Sequence, residues 1–153
     1  MSRTFRRLTK EIAELHTFMQ EEPDVNFSIG PKSETDMFQW EGTLFGPKDS
    51  PYEGGVFNID IFFNDDYPLR PPTIIFKTRI FHPNISTDGS ICLDILKSDW
   101  SPALSIIKVM LSISSLLTDP NPSSPLNSEA AILHANQSQY KEKVQEYIRQ
   151  YCV

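Results

Sequence analysis

The chain has 153 residues, of which 39% are hydrophobic and 22% charged, so it reads as one soluble globular domain spanning 1–153 with its own core. No run of about 18 apolar residues occurs, so no membrane span is expected. The formal net charge of −6 argues against non-specific nucleic-acid binding.

The stretch Met1 to Arg7 has no following apolar segment, so no signal peptide is expected, and cytoplasmic or nuclear residence follows. Two cysteines, Cys92 and Cys152, do not suggest a secreted disulfide scaffold. Cys152 is expected to be a bystander, and Tyr151-Cys152-Val153 is too short after the Cys for prenylation.

Phe5, Leu8, Ile12, Leu15 and Met19 recur at three- and four-residue steps, which predicts an amphipathic helix ending before Pro23. Arg3, Arg6, Arg7 and Lys10 place positive charge at its start, on the opposite face. That face is either solvated or a docking surface for an acidic partner. A short strand over Asn26-Phe27-Ser28-Ile29 is expected to end at Gly30-Pro31. Phe38, Trp40 and Leu44 alternate with polar residues, as in a half-buried strand. Gly46 to Gly55 is rich in turn formers. Phe57, Ile59, Ile61 and Phe63 line one face of a third strand, and Thr73 to Phe76 form a fourth. Short connections predict an antiparallel meander.

Tyr67 to Trp100 reads as loop-dominated. Ser105 to Leu117 is apolar nearly all round, which predicts a buried central helix stopped by Asp119-Pro120-Asn121-Pro122. Asn127 or Ser128 caps a third helix over Glu129 to Leu133. Gln137 to Gln150 forms the last, with Tyr140, Val144, Tyr147 and Ile148 on one face. The fold class expected is α+β.

Cys92 follows Asn84 by eight residues in a segment bounded by Pro and Gly. A cysteine is a nucleophile, and an asparagine amide can donate to a developing oxyanion, so the pair suggests acyl transfer through a thioester. A buried structural thiol is the competing reading. His82 as base for Cys92 is a further rival. His16, His82 and His134 are scattered without zinc-ligand spacing, so no metal is expected. The absence of a glycine-rich phosphate loop predicts no nucleotide cofactor.

Motifs in order along nearly the whole chain resemble the ubiquitin-conjugating enzymes. They include Ser50-Pro51-Tyr52-Glu53-Gly54-Gly55, Tyr67-Pro68 with Pro71-Pro72, and Phe81-His82-Pro83-Asn84. Gly89-Ser90-Ile91-Cys92-Leu93-Asp94 and Trp100-Ser101-Pro102-Ala103-Leu104 complete the match. The resemblance is to the promiscuous, ligase-cooperating subclass with a bare catalytic domain. It implies a four-stranded antiparallel sheet, an N-terminal helix, a central helix, two C-terminal helices and a cis peptide at Tyr67-Pro68.

The same resemblance implies that Cys92 accepts ubiquitin from the activating enzyme as a thioester and that a RING- or HECT-type ligase promotes transfer to lysine. Asn84 either stabilises the oxyanion or positions the loop. His82, Asp94, Asn121 and Ser124 support the site. Ile95, Leu104 and Ser115 match donor-ubiquitin contacts, and Ser28 matches a contact for a second ubiquitin. Arg6, Arg7, Lys10, Leu69, Pro102 and Ala103 match the surface that meets the activating enzyme and ligase.

Several residues depart from the family pattern. Ser124 stands where an acid is common, Leu69 where the closest subclass has phenylalanine, Phe81 for a tyrosine, and Asp99 for a neutral residue. The alternative functions are a conjugating enzyme for a ubiquitin-like modifier and a ubiquitin-binding module. The short segment from Asp94 to Trp100 and the Ser101-Pro102-Ala103 run fit the ubiquitin group better than the SUMO one.

Overall fold

The computed structural model describes residues 2–152. Helix α1 (Arg3–Glu21) begins at Ser2, whose hydroxyl accepts from the Phe5 N–H and so satisfies one of the orphan donors of the first turn. Its buried stripe is Thr4, Leu8, Glu11 and Leu15. The stripe keeps the 3.6-residue period but is rotated from the expected one, because Phe5, Ile12 and Met19 are only half-buried. A glutamate occupies the middle of this face, and Arg7 is drawn inward with it rather than standing on the opposite side.

Four strands follow: β1 (Phe27–Ser33), β2 (Asp36–Phe45), β3 (Val56–Phe62) and β4 (Thr73–Phe76). They pair in sequence order as an antiparallel sheet. The first strand does not end at Gly30-Pro31. It runs through both, with Pro31 opposite Trp40 and a register shift before Ser33. A proline lacks the N–H that an interior strand needs, but β1 lies at the sheet edge, where one side has no ladder to complete.

Period-two alternation places one face of the sheet in the core. Trp40 lies opposite Ile61, which lies opposite Ile74, while Leu44 faces Phe57 and Ile59 faces Phe76. All seven are buried. They form one cluster with Val109, Met110, Ile113 and Leu117 of α2 (Ile106–Thr118). Each such side chain contributes roughly 1.5–3 kcal/mol on burial.

The central helix is not buried all round. Lys108, Leu111 and Ser115 form an exposed stripe, with Leu111 41% accessible. Ser105 caps its start through the Lys108 N–H. Asn127, rather than Ser128, caps α3 (Ser128–Leu133) by accepting from the Ala130 N–H.

Helix α4 (Gln137–Tyr151) buries Tyr140 and Val144, while Tyr147 and Ile148 are half-buried. The Tyr52 hydroxyl donates to the Phe81 carbonyl at 2.6 Å and shares a hydrogen bond with the Tyr140 hydroxyl. Burial raises the pKa of both phenols, that of Tyr140 to about 12, so both stay protonated. This pair ties α4 and the Gly46–Gly55 loop to the segment that carries His82 and Asn84. The Tyr67–Pro68 peptide is cis.

Candidate active site

The loop that carries Cys92 is fixed from beneath by backbone pairing. Ser90 bridges to Ile75 of β4, and Ile91 bridges to Ile85. Gly89 makes the turn possible: its φ is +91°, and a Cβ there would lie 2.1 Å from the Phe76 carbonyl oxygen. Only glycine allows that approach and that dihedral angle together. The Cys92 N–H then donates to the Asn84 carbonyl at 2.8 Å, which brings the two residues side by side.

Asn84 is fully buried and its side chain is fully used. Its Nδ2 donates to the carbonyls of Asn121 at 2.7 Å and Ser124 at 3.1 Å, while Oδ1 accepts from the Asn121 N–H at 2.7 Å. An amide has two donor hydrogens, and both are taken here by backbone. The Pro83 carbonyl adds bonds from the N–H groups of Leu126 and Asn127. Asn84 thus stitches the Cys92 loop to the stretch after α2, where Asn121 and Ser124 present backbone rather than side chain to it.

His82 is equally committed. Its Nδ1 accepts from the Asn84 N–H at 3.0 Å, and this assigns the proton to Nε2, which donates to the Leu116 carbonyl at 2.7 Å. Burial lowers its pKa to about 4, with His134 pushing the same way and the Leu116 carbonyl opposing. A neutral ring with both nitrogens occupied cannot serve as the base of a Cys–His pair. His82 ties the Asn84 backbone to the end of α2.

Cys92 is half-exposed and its thiol is free. Its sulfur lies 3.7 Å from Lys97 Nζ. The 3-10 turn Asp94–Leu96 folds the chain back to bring the lysine there, with the Asp94 carbonyl accepting from the N–H groups of Lys97 and Asp99. Asp94 itself is exposed, and Ile95 and Leu104 are half-buried. Lys97 escaped sequence reasoning; its position five residues after the cysteine becomes meaningful only once the turn is known.

A second hub lies at the start of α2. Glu11, 1% exposed, accepts through Oε1 from the Ile106 N–H at 2.7 Å and through Oε2 from Arg7 Nε at 2.8 Å and the Tyr67 hydroxyl. A carboxylate at a helix N-terminus is favoured by the dipole and by the free N–H groups there. Arg7 Nη2 continues the network to the carbonyls of Pro102 and Leu104, both at 2.9 Å. Trp100 Nε1 donates to the Pro68 carbonyl at 2.8 Å.

Of the basic residues expected to meet partners, Arg6 and Lys10 are exposed, whereas the Arg7 guanidinium is spent inside the molecule. Leu69 is 66% exposed, and Pro102 and Ala103 are exposed as well. Glu11 was not singled out from sequence. The available signal was an acid on an apolar helical stripe, four residues after an arginine. Ser115 lies on the exposed stripe of α2, and Ser28 is exposed on the outer face of the sheet, in a polar depression it shares with Glu41, Thr43, Asn58 and Lys77. Cys152 caps the end of α4 and packs half-buried against the core.

Residues 7–148, most of the chain, match the family model of the ubiquitin-conjugating enzymes. The four helices and four-stranded antiparallel sheet agree with that fold. The chain belongs to the ubiquitin-conjugating enzyme family, and its activity is of the ubiquitin-conjugating type.

Proposed function

We propose that this family member accepts ubiquitin from the activating enzyme as a thioester on Cys92 and passes it, with a ligase, to substrate lysines. The observation that carries the reading is the contrast between the two thiols. Both are half-exposed, but Cys92 stands in a loop whose backbone is bound to the buried Asn84, while Cys152 closes α4 and packs against the core.

Loading exchanges one thioester for another, so it needs an accessible sulfur and no strong base. Discharge needs the carbonyl held still while a lysine amine attacks and the sulfur leaves as thiolate. Positioning of this kind is a large source of rate enhancement. Asn84 supplies it through the loop, since both its amide hydrogens already serve backbone carbonyls. Arg6, Lys10, Leu69, Pro102 and Ala103 offer basic and apolar exposed surface for the activating enzyme and ligase. Ile95, Leu104 and the α2 stripe with Ser115 offer a surface for the donor ubiquitin. Ser28 offers one for a second.

Charging assays with ubiquitin and with each ubiquitin-like modifier, each with its own activating enzyme, test the reading. A thiol-labile adduct is expected with ubiquitin, lost in Cys92→Ala and kept in Cys152→Ala. An adduct that survives Cys92→Ala, or one formed only with another modifier, overturns it.

A further inference from the structure

Thr4, Arg7 and Glu11 follow one another at steps of three and four, so they lie along one side of α1. Thr4, 5% exposed, shares its one hydroxyl hydrogen between the carbonyls of Asp65 and Tyr67, each at 2.8 Å. This fastens the chain just before Pro68 and the exposed Leu69. Arg7 sends Nη2 to the Pro102 and Leu104 carbonyls and Nε to Glu11. Among the described residues no other donor reaches either carbonyl. Glu11 closes the set by accepting from the Tyr67 hydroxyl and the Ile106 N–H. The bond from Trp100 Nε1 to the Pro68 carbonyl, at 2.8 Å, joins the two fastened segments directly.

We propose that Arg7 is a positioning residue for ligase-promoted transfer, and that it sets the Pro102–Ala103 turn in place before a ligase arrives. The inference rests on the ligase reading given above. The turn has little else to hold it. Pro102 has no N–H to donate. The bonds inside the turn run from the Leu104 N–H to the Ser101 carbonyl at 2.9 Å and from the Ala103 N–H to the Ser101 hydroxyl at 3.2 Å. Those bonds shape the turn but do not fix it to the body. Arg7 does, because one planar guanidinium reaches two carbonyls and a buried carboxylate at once. A lysine ammonium carries the same charge without that fork.

A ligase that meets a turn already in place does not lose binding free energy to ordering it. Arg7 thus acts through the turn and not as a surface charge, which separates it from Arg6 and Lys10, whose side chains are exposed. It also acts on docking and not on the reacting atoms. Loss of the fork weakens the hold of a ligase on the loaded chain and leaves the rate reached at saturating ligase.

The probe is an isolated RING domain, taken from a panel as the one that most accelerates discharge of the ubiquitin-loaded wild-type chain to free lysine. Discharge is followed across a series of RING concentrations, each rate taken relative to the RING-free rate of the same variant. Arg7→Lys keeps the charge and loses the fork. Arg7→Met combined with Glu11→Gln removes both charges together, so no carboxylate stays buried without its cation. Glu11→Gln alone is its reference. Both Arg7 variants are expected to raise the half-saturating RING concentration by about fivefold to tenfold, with the relative rate at saturation kept. Amide exchange at Leu104 should rise in both, since the turn has come loose from the body. Glu11→Gln, which leaves Arg7 on its two carbonyls, should dock the RING domain as the wild type does. Wild-type behaviour of Arg7→Lys means a surface charge and overturns the inference. A loss confined to the saturated rate, unchanged exchange at Leu104, or an equal loss of docking in Glu11→Gln overturns it equally. If no RING domain of the panel accelerates the wild type, the ligase reading falls and this one with it.

Discussion

Glu11 and Asn84 are both buried, and each fastens a loop to the rest of the fold, but one does so with a carboxylate and the other with a neutral amide. At the Glu11 end, α1, Tyr67, the Pro102–Leu104 segment and the start of α2 converge on one charged network. At the Asn84 end, the Cys92 loop, the Asn121–Ser124 stretch and the end of α2 are joined by an amide and a neutral imidazole. The two hubs sit at opposite ends of the same helix. A charged hub binds its partners tightly but punishes the loss of any one of them. A neutral hub is cheaper to disturb and puts no formal charge among the backbone groups that shape the Cys92 loop.

The sharpest way to break this comparison is to remove the carboxylate. Glu11→Ala leaves the Arg7 guanidinium, the Tyr67 hydroxyl and the Ile106 N–H without their acceptor. Breaking one side of a buried ion pair costs about 3–5 kcal/mol, and that loss is expected in urea unfolding. Glu11→Gln keeps an acceptor for Ile106 and should lose less. If Glu11→Ala costs under about 1 kcal/mol, the hub is no anchor.

The neutral hub has its own signature in pH. His82 titrates near 6.5 when unfolded and at about 4 when folded, because burial disfavours the charged ring. The unfolded chain therefore binds the proton first as pH falls. The stability this group contributes is fully present above about 6.5, declines below it and is gone below about 4. At about 1.4 kcal/mol per unit, the total is roughly 3 kcal/mol. NMR should show the His82 ring neutral at pH 5.5, still bonded to Asn84 and Leu116, while unfolding free energy drops through that window. A ring that titrates near 6.5 in the folded protein would remove the assignment.

Much of this was legible in the sequence, and what was not shares a cause. Strands β3 and β4 and helices α2 and α4 follow from local period and turn chemistry, so their spans were close to those expected. The path of β1 through Pro31 was not, because a proline is excluded from an interior strand and tolerated at an edge, and edge position is a property of the whole sheet. Arg7 reads as a surface base until Glu11 is known to be buried four residues on. The Ser105–Leu117 stretch reads as buried all round until the face with Leu111 is seen to be left open. Cys92 and Asn84 stood out by residue type and family motif. Lys97 did not, since only the turn at Asp94–Leu96 brings it to the sulfur. In each case the missing information was a contact between residues whose significance one dimension does not record.

The smallest expected effect on stability is the one that decides how Asn84 works. Asn84→Ala removes three side-chain hydrogen bonds, but the groups released on Asn121 and Ser124 lie near the surface and can turn to water. The cost is about 1–3 kcal/mol, below that of Glu11→Ala. Kinetics separates the two roles the residue could play. If Asn84 acts by positioning, discharge to lysine slows together with loosening of the loop. Amide exchange at Asn121 should then rise, because its N–H has lost the Oδ1 acceptor. Exchange at Leu126 and Asn127, which bond the adjoining Pro83 carbonyl, should rise as well. If Asn84 instead donates to an oxyanion, one of its two present bonds must break during reaction. Discharge would then fall by about two to three orders of magnitude even where the loop keeps its protection. The geometry favours the first outcome, since a donor already aimed at two carbonyls gains little by leaving one of them. Single-turnover discharge and hydrogen exchange measured on the same variant decide it: slow discharge with unchanged exchange at Asn121 would return Asn84 to the oxyanion role.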